Sequence, residues 1–272
     1  MTINSYLTSL ANHAIPRDDE KVSVQRSITA LQTRLTNHFG PQIGQHFVFG
    51  SYSRGTILPR SMDPQSDVDY MVVFADTELQ PQSYLDRLRR FTEIRYARSE
   101  VGQSRPTVVL ELNHIRFELV PAVRNWLSGL QIPGKGSGYQ SWQDTDPIGF
   151  NQTLSSANQA NGNLIKPLVR VMKYWNATAK YPYESYALEQ HIAGQGYGFF
   201  GLLTSRQLAD CFFQAVDSLD AGWSAPQWKQ EAVSRLKQIA SLAQSQERSG
   251  NSIQAEATIR RLMPPVGGLL AI

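Results

Sequence analysis

Asp67 and Asp69 stand in the run DVDYMVVF, and Glu118 in RFELVPAV. Side chains of a β-strand alternate faces, so the two aspartates of the first run project to one side about 7 Å apart, while Val68 and Tyr70 point away. If Asn113 and His114 make a two-residue turn, Leu112 pairs with Ile115, Glu111 with Arg116 and Val109 with Glu118. Glu111 then gains a cross-strand cation, and Glu118 has none. Carboxylates brought to about 4 Å of one another repel by roughly 4 kcal/mol per pair at an effective dielectric near 20, so a cation must offset them. Hard oxygen donors suit Mg²⁺, and two such ions can activate an attacking hydroxyl and neutralise a triphosphate. Taken alone, an Asp-x-Asp triplet is more often a strand start with solvated acids.

A phosphate-handling loop is legible upstream. Gly50 and Ser51 follow a strand, where glycine lets the backbone approach a phosphate and a hydroxyl can donate to it; the plain alternative is a Gly-Ser turn. In LIKPLVRVMKYWN, Lys166, Arg170 and Lys173 recur at spacings of four and three, opposite Leu168, Val171, Met172 and Trp175. One helix face would then be buried and the other would offer three cations to a triphosphate, or simply be solvated. His46, His114 and His191 stand singly and read as structural. Neither Cys211 nor any serine sits in a nucleophile context.

The elements that must position these groups follow from periodicity. Val24, Ile28, Leu31 and Leu35 predict a long amphipathic helix over 18–39, opened by Asp18, Asp19 and Glu20 and closed by Gly40. Strands follow over 45–49 and 67–74, joined by the loop GSYSRGTILPRSMDPQS. A helix is expected over 82–98 and a hairpin over 107–112 and 115–120. The stretch GLQIPGKGSGYQSWQDTDP, with four glycines and no periodicity, reads as a surface excursion or linker. Beyond it, 163–177, 185–192, 198–218, 227–246 and 252–263 all read as helices. The expected architecture is α+β: a catalytic core with a mixed sheet over residues 1–150 and a helical lobe over 151–272.

Composition narrows the class. With 272 residues, 41% hydrophobic and 18% charged, the chain can bury its own core, and no apolar run reaches the roughly 20 residues of a membrane span. No secretory signal is read at the N-terminus, and a single cysteine among 272 residues favours a reducing cytoplasm. A net charge of +3 tolerates a polyanionic ligand but does not make the basic stripe of a stable nucleic-acid partner.

The order FGSYSRGT, SDVDYMVVF, FELVPAV resembles the DNA-polymerase-β-like nucleotidyltransferases, and with YQSWQDTDP, LVRVMKYWN, ESYALE and RRLMPP it resembles the bacterial cyclic-oligonucleotide synthases called CD-NTases. These are relatives of animal cyclic GMP-AMP synthase and of the oligoadenylate synthases. The resemblance runs from about Phe47 to Pro265. It implies a nucleotidyltransferase sheet, an oligoadenylate-synthase-like helical lobe and a long N-terminal spine helix, with the active site in the cleft between lobes. It implies that Asp67, Asp69 and Glu118 hold two Mg²⁺ ions (or Mn²⁺) and catalyse, that Gly50, Ser51, Lys173 and Ser185 contact the triphosphate, and that Tyr186 stacks on a base. The implied activity joins nucleoside triphosphates such as ATP into a cyclic di- or oligonucleotide second messenger, with a separately encoded effector as a possible partner in anti-phage defence. Nucleotide transfer to RNA or protein, or a catalytically silent nucleotide binder, are the alternatives. The third acid is usually aspartate in such strands; Glu118 adds one methylene.

Overall fold

Apolar residues three and four apart set the helices, and period-two alternation sets the strands, in the computed structural model, which describes residues 2–97, 99–104, 106–134, 138, 140–198 and 206–266. In chain order these are α1 (Ile3–His13), α2 (Asp18–Phe39), β1 (Ile43–Val48), α3 (Gly50–Arg54), β2 (Asp67–Phe74), α4 (Pro81–Arg95), β3 (Glu100–Ser104), β4 (Thr107–Glu111), β5 (Arg116–Arg124), β6 (Leu130–Pro133) and β7 (Trp142–Thr145). Helices follow: α5 (Gly149–Ala160), α6 (Ile165–Thr178), α7 (Ser185–Gly194), α8 (Leu208–Ser218), α9 (Gln227–Arg248) and α10 (Ser252–Arg260). The chain divides into two compact units, a sheet unit of residues 16–55 and 65–151 and a helical unit of residues 1–15, 56–64 and 152–272.

In the sheet unit the strands run β1-β2-β5-β4-β3, with β6 and β7 continuing from β5. Only β2 and β5 pair in parallel among the described strands; the other pairs are antiparallel, which makes the sheet mixed. Val68, Tyr70, Val72 and Phe74 fill one face of β2 and are buried. Phe74 packs on Phe39 of α2 and on Tyr84 of α4, with Phe39 also meeting Phe91. Each such aromatic contributes about 1.5–3 kcal/mol by leaving water. The alternate residues of β2 form the other face, where Met71 and Val73 pack with Val120 and Ala122. That face is therefore apolar at the C-terminal end of the strand and acidic at its start.

The segment expected to be an unstructured excursion is instead a β-hairpin: Leu130 pairs with Thr145 and Pro133 with Trp142, and Arg124 pairs with Leu130 to attach it to β5. Residues 135–137 and 139 of that segment lie outside the described residues. The strands are four residues each, too short for period-two alternation to rise above glycine-rich composition. The strand β3 and the helix α5 are likewise absent from the sequence reading. So is α1, although Ile3, Tyr6, Leu7, Leu10 and Ala11 lie buried on one of its faces and Thr2 and Ser5 form its capping box. Of the helix expected over 198–218, Leu208–Ser218 is helical, and residues 199–205 lie outside the described residues.

In the helical unit α6 is central: Leu168, Val169, Val171, Met172 and Trp175 are all buried. The first helix belongs here, its Tyr6 hydroxyl donating to the Met263 carbonyl at 2.6 Å and its Ile3 N–H to Glu247 at 2.8 Å. No described helix is long and apolar enough to cross a membrane.

Candidate active site

The start of β2 presents Asp67 and Asp69 on one face, both half-buried, with Val68 and Tyr70 beneath. The parallel pairing with β5 sets Asp67 beside Arg116 and Asp69 beside Glu118. Across β5 the hairpin register is the one expected from sequence, with Glu111 opposite Arg116 and Val109 opposite Glu118. Leu112 N–H donates to the Ile115 carbonyl at 2.9 Å and closes the turn. Three carboxylates thus occupy neighbouring positions on one face of two central strands.

Gly50 ties the loop to these acids. Its φ is +69°, and a Cβ placed on it would lie 1.8 Å from Asp69 Oδ2. The aspartate carboxylate rests directly against the glycine backbone, an approach that no other residue permits. Phe49 N–H donates to the Asp69 carbonyl at 3.0 Å and fixes the same spacing from the backbone side. The loop itself begins with a short helix, α3, in which Ser53 Oγ donates back to the Gly50 carbonyl at 2.9 Å and Arg54 lies over the Phe150 ring. Ser51 is half-buried on α3, next to Gly50.

The sequence expectation that Glu118 lacks a cation is corrected. Arg116 Nη2 donates to Glu118 Oε1 at 2.7 Å, and Thr107 Oγ1 donates to Oε2 at 3.2 Å. The reason is the same alternation that aligns the acids: residues two apart on a strand share a face, so Arg116 pairs with Glu118 along β5. The donor set is all hard oxygen and suits Mg²⁺ or Mn²⁺ in type. As the side chains stand, however, no three His, Cys, Asp or Glu groups among the described residues gather closely enough to hold one ion. Asp67, Asp69 and Glu118 fit a metal in chemistry and register, with Glu118 held by Arg116 and Thr107.

In the helical unit the expected cationic face of α6 is also corrected. Arg170 and Lys173 are buried, not displayed. Lys173 Nζ donates to Glu189 Oε1 and to the Thr56 carbonyl, both at 3.1 Å, and Thr56 Oγ1 donates to the same Glu189 oxygen at 2.9 Å. Arg170 Nε donates to the Ala11 carbonyl at 3.2 Å, and burial lowers its pKa. Helical spacing reports which residues share a face, and here α1, α7 and α8 cover α6 from several sides. Lys166 is half-buried at the start of α6. Ser185 and Tyr186 open α7, Ser185 half-buried and the Tyr186 ring 46% exposed.

The histidines behave as side-chain hydrogen-bonding partners. His46 Nδ1 meets Tyr70 Oη at 2.7 Å, His114 Nε2 meets Ser27 Oγ at 3.0 Å, and His191 Nε2 meets Ser218 Oγ at 2.9 Å. Burial lowers the His46 pKa and so favours its neutral ring. Burial pushes the Cys211 thiol up to about 11, which keeps it protonated and inert. The residues missed from sequence are Arg116, Thr107 and Glu189. Arg116 was legible in principle, as a cation two positions before a strand carboxylate.

Comparison with known proteins places this geometry. The family described as Second Messenger Oligonucleotide or Dinucleotide Synthetase domain matches residues 1–158. A probable cyclic nucleotide synthase of Bacillus cereus (strain VD146) is 24% identical, with 70% of each chain covered. Among solved structures, E. coli MS115-1 CdnC with ATP superposes with a TM-score of 0.68 at 15% identity, covering 97% of this chain and 98% of that one. The Bradyrhizobium diazoefficiens CD-NTase CdnG with GTP superposes with a TM-score of 0.67 at 13% identity, covering 95% and 97%. At such identities these structures establish a shared fold.

Proposed function

This chain belongs to the Second Messenger Oligonucleotide or Dinucleotide Synthetase family, and on that premise we propose that Asp67, Asp69 and Glu118 are the catalytic acids of a nucleotidyltransferase that makes a cyclic di- or oligonucleotide from nucleoside triphosphates. The observation that carries the assignment is the register of β2 on β5, which sets Asp69 beside Glu118, together with the packing of the Asp69 carboxylate against Gly50.

The reaction joins a 2′- or 3′-hydroxyl oxygen of one nucleotide to the α-phosphorus of another. The bond from that phosphorus to the pyrophosphate oxygen breaks, and the hydroxyl proton leaves to a base. Two Mg²⁺ or Mn²⁺ ions held by the three acids would lower the hydroxyl pKa and neutralise the triphosphate. Glu118 is the acid we assign to the proton. Gly50 lets the backbone approach the phosphates, and Ser51 donates to them. Lys173 is assigned to the triphosphate by resemblance alone, its ammonium already donating to Thr56 and Glu189. Ser185 and Tyr186 are assigned to the triphosphate and to a base by resemblance, and the exposed Tyr186 ring suits stacking. A cytoplasmic role in anti-phage signalling, with a separate effector reading the product, completes the proposal.

Purified protein incubated with the four ribonucleoside triphosphates and Mg²⁺ or Mn²⁺, followed by phosphatase and mass spectrometry, tests it. A phosphatase-resistant oligonucleotide made by wild type and not by Asp67→Ala, Asp69→Ala is the expected result. Label transferred to RNA or protein, or nucleotide bound with no pyrophosphate released, would replace the proposal with one of those activities.

A further inference from the structure

The acid face carries a cation that the catalytic assignment leaves unused. Arg116 lies beside Asp67 as Glu118 lies beside Asp69, so a guanidinium shares one face of β2 and β5 with the three carboxylates. Both oxygens of Glu118 are engaged, Oε1 by Arg116 at 2.7 Å and Oε2 by Thr107 at 3.2 Å. A second feature singles out the arginine: its Nε–H is buried and has no acceptor. A buried donor without a partner is disfavoured, so this guanidinium is not at its best possible arrangement where it stands. The side chains are 26% and 19% exposed, neither sealed in the core nor fully in water. An incoming ligand can therefore compete for them.

We infer that Arg116 is the positioning residue of the acid face, an internal counter-cation that holds Glu118 out of the metal-ligand set until a metal-bound nucleotide arrives. The inference rests on the catalytic reading of the three acids. Three carboxylates on one face need a cation, and a bare face would take a divalent ion from solution. With Arg116 present that need is met within the chain, so a free divalent ion gains little and meets repulsion from the guanidinium. A nucleoside triphosphate changes the balance. It brings the metal together with phosphate oxygens that give Arg116 a replacement acceptor, and planar guanidinium groups bind phosphate well. Glu118 is then released to join Asp67 and Asp69. Metal uptake becomes coupled to nucleotide uptake, which is reciprocal by thermodynamic linkage.

The test is Mn²⁺ binding to the full chain, read as free Mn²⁺ by electron paramagnetic resonance, without nucleotide and then with a non-hydrolysable ATP analogue. Arg116→Gln should bind Mn²⁺ alone roughly tenfold more tightly than wild type, equivalent to about 1.4 kcal/mol. Arg116→Lys keeps the cation and should stay near wild type. The analogue should raise wild-type affinity far more than that of Arg116→Gln. Thr107→Val removes the other hold on Glu118 without touching a charge and should tighten Mn²⁺ by about twofold, which keeps the test decidable if Arg116→Gln does not fold. Equal or weaker Mn²⁺ binding by Arg116→Gln, or by Thr107→Val in its place, overturns the inference. If that result comes with Mn²⁺ binding that Asp67→Ala, Asp69→Ala abolishes, the metal reading of the acids stands. No Mn²⁺ binding to any variant, with or without analogue, overturns both.

Discussion

Two acid–base pairs in this molecule have opposite surroundings. On the sheet, Arg116 and Glu118 are joined at 2.7 Å with side chains 26% and 19% exposed. In the helical unit, Lys173 and Glu189 are joined at 3.1 Å with side chains 6% and 1% exposed. The first pair lies among further carboxylates and is partly open to water. The second shares its hydrogen bonds with Thr56 and holds the 56–64 segment to α6 and α7. Charges that water can reach can be re-paired by a ligand, whereas charges sealed from water are fixed by the cost of desolvating whichever partner is left alone. The contrast makes the sheet pair a point of control and the helical pair a rivet.

The strongest way to separate the two is to remove charges from each. Asp67→Ala with Asp69→Ala should abolish nucleotide condensation, by at least roughly a thousandfold, while the chain still folds, because both acids stand half-buried at the start of a strand and not in the core. Product chromatography and a melting curve check both halves. Lys173→Met should instead cost about 3–5 kcal/mol of stability by removing the cation that faces the buried Glu189. Urea unfolding measures it, and Lys173→Met with Glu189→Met should recover most of the loss. A stable Lys173→Met single variant would dissolve the distinction.

Gly50→Ala probes the acid face without changing a charge. Its Cβ would fall 1.8 Å from Asp69 Oδ2, so the carboxylate must move and product formation should fall about a hundredfold. Stability should drop by only about 1–2 kcal/mol, chiefly from the positive φ. Cys211, buried in the helical unit with its pKa pushed up to about 11, should resist Ellman's reagent at pH 8 until urea unfolds the chain. Reaction at the rate of a free thiol would mean that this unit opens readily. The smallest effect is expected at the half-exposed Arg89, which pairs with Asp86 at 3.3 Å and Glu93 at 3.8 Å on α4. Arg89→Ala should change unfolding free energy by less than about 0.5 kcal/mol.

Much of the site was readable because it is local. Alternation along DVDYMVVF put Asp67 and Asp69 on one side, and the Asn113–His114 turn fixed the register that sets Glu118 opposite Val109. Helix α2 was legible from one end to the other, since its apolar spacing, acidic first turn and closing glycine agree. The hairpin of β6 and β7 was not, because strands of four residues are too short for alternation to show above a glycine-rich composition. The cationic face read on α6 failed for a related reason. Periodicity ranks the sides of a helix by polarity, but which sides are covered depends on how many neighbours pack around it.

Residue order alone put Asp67 and Asp69 on one strand face, Glu118 opposite Val109, a glycine-serine loop after a strand, and a sheet ahead of a run of helices. These depend on residue type and on spacing within one strand, one turn or one helix. That β2 lies parallel to β5, which brings Glu118 beside Asp69, and that Asp69 rests on Gly50 became visible once the chain was packed. The tertiary structure decided the partners of the charges, Arg116 for Glu118 and Glu189 for Lys173. The choice of partner for a charge is settled by distance and burial. Both are properties of surfaces that meet only after distant segments of the chain have packed.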